Sequence, residues 1–393
     1  MESNVWLIAA AWMALALVAS LISIRVGISV ALIEILIGVV AGNFLGVHST
    51  AWIDFLATFG AGLLTFLAGA EIDPESLRRH LKPAAAIGTV SFLVPFLCAA
   101  AFARWVGGWA PHAAWIAGIS LSTTSVAVVY AVLLDTGLNR TELGKLILAA
   151  CFITDFGTVL ALGVLFANFN GWLLLFVVVT AVVLWQLPRL TRLVIARVGH
   201  RVSEPEVKFI FLVLFLLGGL AKLAQSEAVL PAYLVGLVIA GVFVRDRVLM
   251  DRMRTIAFTM LTPFYFLKAG LYVSLPAVAA GALLIVALLL VKVGSKLLGV
   301  WPLTRLFRFG RREGAYTTLL MSTGLTFGTI SALFGLTNHI IDQTQYTILV
   351  TVVIASAVIP TLIAQRYFEP PRVEAVPKGD GPDVANTRPA LES

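Results

Sequence analysis

Charged residues are scarce in this chain, at 12% of its 393 residues, whereas they make up about a quarter of an ordinary soluble domain. Hydrophobic residues make up 60%, and the mean hydropathy is +0.97. So few polar residues could not cover a core of this size, which excludes a water-soluble globular protein. The composition therefore predicts an integral membrane protein embedded in a lipid bilayer.

Cysteine and histidine are also scarce, with two and five copies. Cys98 and Cys151 lie inside apolar runs, so the sequence indicates no disulfide framework. No histidine lies at the centre of an apolar run and no HExxH or Cys–His motif occurs, so we expect no metalloenzyme and no cofactor. The net charge of +7 comes from basic residues in the loops between runs, so we expect no nucleic-acid partner.

Apolar runs account for most of the chain. Each is roughly 17 to 25 residues long, the length that an α-helix needs to cross a hydrocarbon core of about 30 Å. A transmembrane β-barrel is excluded, because its strands alternate between apolar and polar residues. We therefore predict thirteen membrane spans, near residues 5–24, 28–45, 52–70, 83–106, 113–134, 143–167, 171–187, 207–224, 228–244, 256–275, 277–300, 314–336 and 344–365.

The positions of lysine and arginine predict the orientation of these spans, because cytoplasmic loops retain basic residues. With the N-terminus outside, Arg104 would be the one basic residue of 28 in an outer loop. Those within spans would be Lys222, Lys268, Lys292 and Lys296. We expect the N-terminus outside and the C-terminus inside, in a bacterial inner membrane. The first four residues lack the basic region of a cleaved signal peptide, so the first span is expected to be retained.

Thirteen spans divide into six, one linker and six, so that the second half has the opposite orientation, as in inverted-repeat transporters. Span 5 then corresponds to span 12, and both carry polar segments of small residues, at 118–125 and 322–329. Such segments let the backbone unwind at membrane depth where they line a protected cavity. We therefore predict two inverted six-helix repeats with crossed, discontinuous helices 5 and 12, the latter interrupted at Ser322, Thr323 and Gly324. The alternative is a pair of helices merely bent by hydroxyl groups that bond to carbonyls one turn earlier.

Ionisable residues inside a membrane cost at least about 2.5 to 3.5 kcal/mol each, and Asp155 is the only aspartate near the centre of a span. Loss of hydration favours a protonated acid and a bound cation favours the carboxylate, so this side chain is suited to exchanging a proton for a hard cation. The alternative is a structural acid paired with a basic residue. The candidate partners, Lys292 and Lys296, lie one turn apart on span 11. For Lys296, snorkelling to the cytoplasmic surface is a further alternative.

Over its whole membrane region the chain resembles the monovalent cation:proton antiporter family 2. The residues that carry the resemblance are 121–137 of span 5, 149–157 of span 6 and 294–299 of span 11. The spacing from the interrupted span 5 to the acid of span 6 is the most specific of these features. The resemblance implies a homodimer in which spans 1–3 and 8–10 form a dimerisation domain. Spans 4–6 and 11–13 would form a mobile core that carries the ion site like an elevator.

The resemblance also implies domain boundaries. The dimerisation domain would comprise residues 1–75 and 206–276, the core transport domain 76–168 and 277–368, the linker span 169–205, and a disordered cytoplasmic tail 369–393. The tail is rich in proline, glycine and charge, a composition typical of disorder. Some relatives carry a nucleotide-binding regulatory domain after the last span, and we expect none in this chain.

The chain departs from the family pattern in two places. The site acid of the family usually follows another Asp, an Asn or a Gln, whereas Thr154 precedes Asp155 here. Span 12 has residues 321–324 where the family often has an arginine. The family's lysine opposite the missing acid corresponds to Lys296. These departures leave the ion and the stoichiometry open.

These features predict a secondary antiporter, not an enzyme, that exchanges Na⁺ or K⁺ for protons. Asp155 would be alternately protonated and cation-bound, with further oxygen ligands from Thr154, Thr123, Thr124 and Ser125. One-for-one exchange at a single carboxylate would be electroneutral, unless Lys296 also releases a proton when the cation binds. An intramembrane aspartyl protease is disfavoured, because it needs two acids that share a proton. An ion-coupled symporter of a small organic anion is the alternative, since interrupted helices also direct their dipoles at carboxylates.

Overall fold

The computed structural model describes residues 4–26, 29–72, 81–166, 171–199, 201, 203–224 and 228–370. Most of the predicted tail, residues 371–393, lies outside the described residues. The described chain is helical, with short connections. Its α-helices are α1 (Val5–Val26), α2 (Val30–Phe44), α3 (Ala51–Ala70), α4 (Leu81–Trp105), α5 (Pro111–Ser122), α6 (Val126–Asp135), α7 (Glu142–Leu165), α8 (Gly171–Val198), α9 (Pro205–Leu223), α10 (Val229–Arg245), α11 (Arg247–Ile256), α12 (Thr262–Leu271), α13 (Leu275–Ala280), α14 (Ala282–Leu306), α15 (Arg311–Met321), α16 (Thr326–Thr337) and α17 (Gln343–Tyr367).

Nine helical segments within the described ranges are long and apolar enough to cross a membrane, counting α5 with α6 and α15 with α16. Two shorter apolar helices, Val30–Phe44 and Val229–Val244, add to them. The outward faces carry large exposed apolar side chains, among them Trp6 and Leu298. Apolar surface on this scale is accommodated by lipid rather than by water, because monomers in water rarely expose large contiguous apolar patches.

The helix α8 continues to Val198, well past residue 187, where the predicted membrane span ends. The apolar run ends at Pro188 and the arginines that follow it. Arginine is a good helix former, however, so charge ends an apolar run without ending a helix. Arg192 Nε donates to the carbonyl oxygen of Pro188 at 3.0 Å. Hydropathy therefore locates the apolar run at 171–187, whereas the helix extends beyond that run to Val198.

The predicted span at residues 256–275 is not one continuous α-helix in the structure. The chain forms the amphipathic helix α11, a π-helical turn at Ala257–Leu261 and then α12. Pro263, in the first turn of α12, lacks the backbone N–H that an uninterrupted α-helix would use. The polar face of α11 is held to the end of α3, where Arg254 Nε lies 2.9 Å from Glu71 Oε1.

The helices pack in two groups. In one, α4 contacts α5, α7 and α14, while α15, α16 and α17 pack around α5 and α14. In the other, α2 and α3 pack against α12, α3 packs against α10, and α8 packs against α9 and α10. Contacts between α7 and α10 join the groups, including a hydrogen bond from Tyr233 OH to the carbonyl oxygen of Phe152 at 3.0 Å. The helices interrupted by non-helical segments, between α5 and α6 and between α15 and α16, belong to the first group.

Glycines allow α2 and α12 to approach closely. A Cβ atom on Gly38 would overlap the carbonyl oxygen of Leu267, and a Cβ atom on Gly270 would overlap that of Ile35. One turn further along α2, a Cβ atom on Gly42 would lie 2.7 Å from the carbonyl oxygen of Leu271. The four-residue spacing of these glycines on α2 therefore serves packing within one chain.

Replacing Gly38 with alanine is expected to lower the free energy of unfolding by roughly 1–3 kcal/mol, because the two backbones must separate to admit the methyl group. The matched control is Gly219→Ala on α9, where a Cβ atom would meet no described heavy atom within 4 Å. There alanine is expected to be neutral or stabilising, since it is a better helix former than glycine by about 0.8–1 kcal/mol. Unfolding of the purified proteins in detergent measures both changes. Equal effects of the two substitutions would contradict the close contact.

A candidate ion-binding site at two interrupted helices

Two membrane-embedded helices are interrupted, and their interruptions lie against each other. The first falls between α5 and α6, at residues 123–125, and the second between α15 and α16, at residues 322–325. We call these two segments together the junction. Ser125 N donates to the carbonyl oxygen of Thr323 at 3.1 Å, and Thr124 Oγ1 donates to that of Met321 at 2.9 Å. Four helix ends thus meet at one buried place, between parts of the chain that are distant in sequence.

The hydroxyl groups of the junction explain why the backbone can leave the helix here without exposing its polar groups. Ser122 Oγ donates to the carbonyl oxygen of Ile119 at 2.8 Å, and Thr123 Oγ1 to that of Ser120 at 3.1 Å. In the second segment Thr323 Oγ1 donates to the carbonyl oxygen of Leu320 at 2.8 Å. These bonds occupy carbonyls at helix ends that water cannot reach. The helices therefore end at the junction rather than bend.

Asp155 lies on α7 with 1% of its surface exposed. Its Oδ1 atom has no hydrogen-bond partner among the described residues. The neighbouring hydroxyl, Thr154 Oγ1, donates to the carbonyl oxygens of Ala150 at 3.0 Å and Gly88 at 3.2 Å. The second of these bonds crosses to α4, whose backbone approaches α7 closely at Gly88. A buried carboxylate oxygen with an unused acceptor site is suited to receiving a proton or a cation.

Lys296 is fully buried, and its ammonium group has a complete set of acceptors. The Nζ atom donates to Ser91 Oγ at 2.7 Å, to the carbonyl oxygen of Ser122 at 2.8 Å and to Thr124 Oγ1 at 3.1 Å. These three bonds tie α14 to α4 and to the first segment of the junction. The side chain therefore points inward and does not snorkel to the membrane surface. It interacts electrostatically with Asp155 without a direct salt bridge between these two described residues.

Lys292, one turn earlier on α14, is as deeply buried as Lys296 but does not share its hydrogen bonds. Its Nζ atom has no hydrogen-bond acceptor among the described residues. The Lys292 ammonium group lies against Gly324 in the junction. A Cβ atom added to Gly324 would overlap Lys292 Nζ and would lie 2.9 Å from Thr123 Oγ1. The absence of a side chain at residue 324 therefore makes room for this ammonium group.

Lys268, which the sequence places in mid-span, belongs to a separate ion pair. Its Nζ atom lies 2.7 Å from Asp54 Oδ1, and this pair links α12 to the first turn of α3. Asp54 also borders a cavity of about 1150 Å³ that opens between α3, α9 and α10 on one side and α5, α7 and α16 on the other. The cavity lies where the two groups of helices face each other.

The structure brings together most of the residues that the sequence singled out. The two polar segments and both lysines of α14 meet at the junction, and Asp155 interacts electrostatically with Lys296 there. Sequence reasoning missed Ser91 as an acceptor for Lys296 and Asp54 as the partner of Lys268. Ser91 stands out as a polar residue within the apolar run of α4. A search for polar residues on helices that neighbour a buried lysine would have found it.

Comparisons with known proteins find sodium/proton antiporters. The family model described as the transmembrane sodium/hydrogen exchanger matches residues 13–369. A probable Na⁺/H⁺ antiporter 3 of Methanocaldococcus jannaschii is 23% identical over 352 residues, which cover 86% of this chain and 89% of the relative. A Na⁺/H⁺ antiporter of Enterococcus hirae is 26% identical over 373 residues, covering 89% of this chain and 94% of the relative. The Na⁺/H⁺-K⁺ antiporter GerN of Bacillus cereus is 24% identical over 360 residues, covering 88% of this chain and 92% of the relative.

Among solved structures, the chain is similar to the sodium proton antiporter MjNhaP1 from Methanocaldococcus jannaschii at pH 8, with a TM-score of 0.68 and 14% identity. The likeness covers 92% of this chain and 97% of that structure. At 14% identity, this likeness establishes the fold alone. The prediction of an all-helical, polytopic membrane protein is confirmed.

Proposed function

The chain belongs to the sodium/hydrogen exchanger family, as its resemblance to monovalent cation:proton antiporters predicted, and from this premise we propose that it exchanges Na⁺ or K⁺ for protons across the membrane. The relatives named above are transporters rather than enzymes. One observation carries the proposal at the level of residues. Asp155 presents an unpartnered carboxylate oxygen at membrane depth, on a helix that packs beside two interrupted helices.

The carboxylate of Asp155 is the proposed point of exchange. It is the only buried acid on α4–α7 and α14–α17 among the side chains that the structure describes. Desolvation makes an empty, charged carboxylate unfavourable there, so the side chain holds either a proton or a cation. Because both compete for one group, movement of one ion across the membrane is coupled to movement of the other.

Neighbouring oxygens complete the proposed cation site. Na⁺ and K⁺ are hard cations that take hydroxyl, carbonyl and carboxylate oxygens as ligands. We take Thr154, Thr123, Thr124 and Ser125 as the source of these oxygens, because Thr154 adjoins Asp155 on α7 and the other three lie in the junction, beside which α7 packs. Thr124 Oγ1 accepts a hydrogen bond from Lys296, so binding through this atom uses its remaining lone pair. The hydroxyl groups of Thr123 and Thr154 donate to carbonyls and keep acceptor capacity, while Ser125 Oγ accepts from Val128 N at 3.4 Å and keeps a second lone pair.

Lys296 is the proposed fixed countercharge of the site. Three acceptors hold its ammonium group, an arrangement that suits a charged lysine. Asp155 is then the one group that exchanges a proton for a cation. One-for-one exchange follows, and it moves no net charge across the membrane.

The proposed architecture follows the same family. We propose thirteen spans with the N-terminus outside, two inverted repeats, and a homodimer whose core moves like an elevator against the dimerisation domain. The two groups of packed helices support this division, because α4–α7 and α14–α17 fall into the group that contains the junction. The 1150 Å³ cavity between the groups supports a route for hydrated ions along their boundary.

Dissipation of an imposed proton gradient tests the proposal. Proteoliposomes with an acidic interior are given Na⁺, K⁺ or Li⁺ in turn, without any organic solute, and the internal pH is followed over a range of external pH. We expect at least one cation to dissipate the gradient far faster than in protein-free liposomes. Dissipation that requires an organic anion would instead indicate a symporter and would overturn the proposal.

A further inference from the structure

We propose that Tyr233 of α10 is the gate between the cavity and Asp155, and that its side chain moves aside when an ion passes to the exchange point. This inference rests on the proposed function, because it takes Asp155 as the group that exchanges ions. Asp155 has 1% of its surface exposed and does not line the cavity. A route between the cavity and this carboxylate must therefore open during transport.

The cavity ends beside Tyr233. On α3 its lining lies within residues 51–62. Seven residues, or about two turns, beyond this range is Gly69, where an added Cβ atom would overlap the carbonyl oxygen of Tyr233. On α10 the cavity is lined by Ala232, and Tyr233 is the next residue in the chain. Tyr233 is 1% exposed and therefore lies just past the inner end of the cavity.

The side chain of Tyr233 covers the face of α7 that carries Asp155. Its hydroxyl group donates to the carbonyl oxygen of Phe152 at 3.0 Å, and its ring centroid lies 6.0 Å from that of Phe156. Residues three and four positions apart share one face of a helix, so Asp155 lies on the same face as Phe152 and Phe156. Tyr233 also interacts electrostatically with Asp155. The phenol ring is thus placed between the cavity and the carboxylate.

The chemistry of a tyrosine suits a gate that closes and opens. Its ring excludes water from the buried acid, while its hydroxyl group is bonded across the boundary between the two groups of helices. Both partners of this bond are neutral, and such a bond shifts an equilibrium by only about two- to tenfold. The bond can therefore break without a large cost, and a hydrated ion offers both partners water in exchange.

Chemical modification of Asp155 tests the inference. The purified protein in detergent is treated at mildly acidic pH with a water-soluble carbodiimide and glycine ethyl ester, and modification of each carboxyl group is followed by peptide mass spectrometry. The cavity of about 1150 Å³ admits such a reagent, since sites of roughly 300–1,000 Å³ hold drug-sized molecules. Glu34 is the internal reference, because it is also buried but lies on α2, away from the cavity.

Opening of the gate should appear as faster modification of Asp155 relative to Glu34. Tyr233→Phe keeps the ring and loses the hydrogen bond, so we expect it to raise this ratio by about two- to tenfold. Tyr233→Ala also removes the ring and should raise the ratio further. The matched control is Tyr346→Phe, which removes another buried hydrogen bond between the two groups of helices, from the Tyr346 hydroxyl group to the carbonyl oxygen of Ala269. This bond joins α17 to α12 and does not involve α7, so the ratio should not change.

Three results would overturn the inference. The first is an unchanged ratio in both Tyr233 variants. The second is an equal increase in Tyr346→Phe, which would mean that the whole boundary between the groups loosens. The third is faster modification of Glu34 in parallel with Asp155, which would mean that Tyr233 only stabilises the fold. Failure of the proposed function is a separate outcome, since normal exchange by Asp155→Asn would displace the ion site, whereas the ratio would still report whether Tyr233 closes the cavity.

Discussion

Replacing Asp155 with asparagine is expected to reduce cation-dependent proton exchange in proteoliposomes to the level of protein-free liposomes. Asparagine has nearly the same shape as aspartate, but it neither releases a proton nor attracts a cation by charge. The exchange point then holds no ion in either half of the cycle, and the coupling between the two fluxes is lost. The measurement is the change in internal pH when Na⁺ or K⁺ is added outside.

The control for this experiment is Asp251→Asn, which removes a carboxylate from the exposed face of α11. Its exchange rate should remain close to that of the unaltered protein. The Asp155→Asn protein should also unfold at the same temperature or higher, because a neutral amide relieves the desolvation of a buried acid that has an unpartnered oxygen. Normal exchange by a stably folded Asp155→Asn protein would refute the assignment of the site.

Replacing Lys296 with methionine is expected to lower the free energy of unfolding by roughly 3 kcal/mol or more. The substitution leaves Ser91 Oγ and the carbonyl oxygen of Ser122 without the donor that binds them, whereas Thr124 Oγ1 keeps its bond to the carbonyl oxygen of Met321. Each buried group left unsatisfied costs about 1–3 kcal/mol. The same substitution at Lys292 removes no hydrogen bond among the described residues, so Lys292→Met should leave stability unchanged or raise it. The two lysines provide a matched pair, since they lie on the same helix and are equally buried.

Unfolding of both variants in detergent, followed by loss of helical signal with increasing denaturant, measures this difference. The expected result is a lower transition midpoint for Lys296→Met only. Equal destabilisation by both substitutions would mean that Lys292 also has acceptors and would remove the contrast between their roles. A stable Lys296→Met protein would show that the three hydrogen bonds do not hold the junction together.

Much of this architecture could be predicted from local sequence properties. Apolar runs locate helices at membrane depth, because the cost of exposing polar groups to lipid acts on every residue in turn. Asp155 is conspicuous for the same reason, as is each polar segment within an apolar run. The apolar runs, the buried acid and the polar segments can all be recognised from local composition, without knowledge of contacts between distant residues.

Other features could not be predicted because they depend on contacts between distant residues. The spacing of Lys292 and Lys296 gives no indication that one has three acceptors and the other none among the described residues, since those acceptors lie on α4, at the end of α5 and in the junction. The partner of Lys268 is Asp54, more than two hundred residues earlier in the chain. The extension of α8 beyond its apolar run depends on helix propensity outside the membrane, which hydropathy does not measure.

The pairing of the two segments at the junction has a consequence for biosynthesis. The hydrogen bond from Thr124 to Met321 joins residues 197 positions apart. At roughly 5–20 residues per second, a ribosome needs on the order of 10 to 40 seconds to add that much chain. The first segment therefore enters the bilayer long before its partner exists. During this interval its backbone must be shielded by the insertion machinery or by provisional contacts, and the junction is completed only after Met321 has been made.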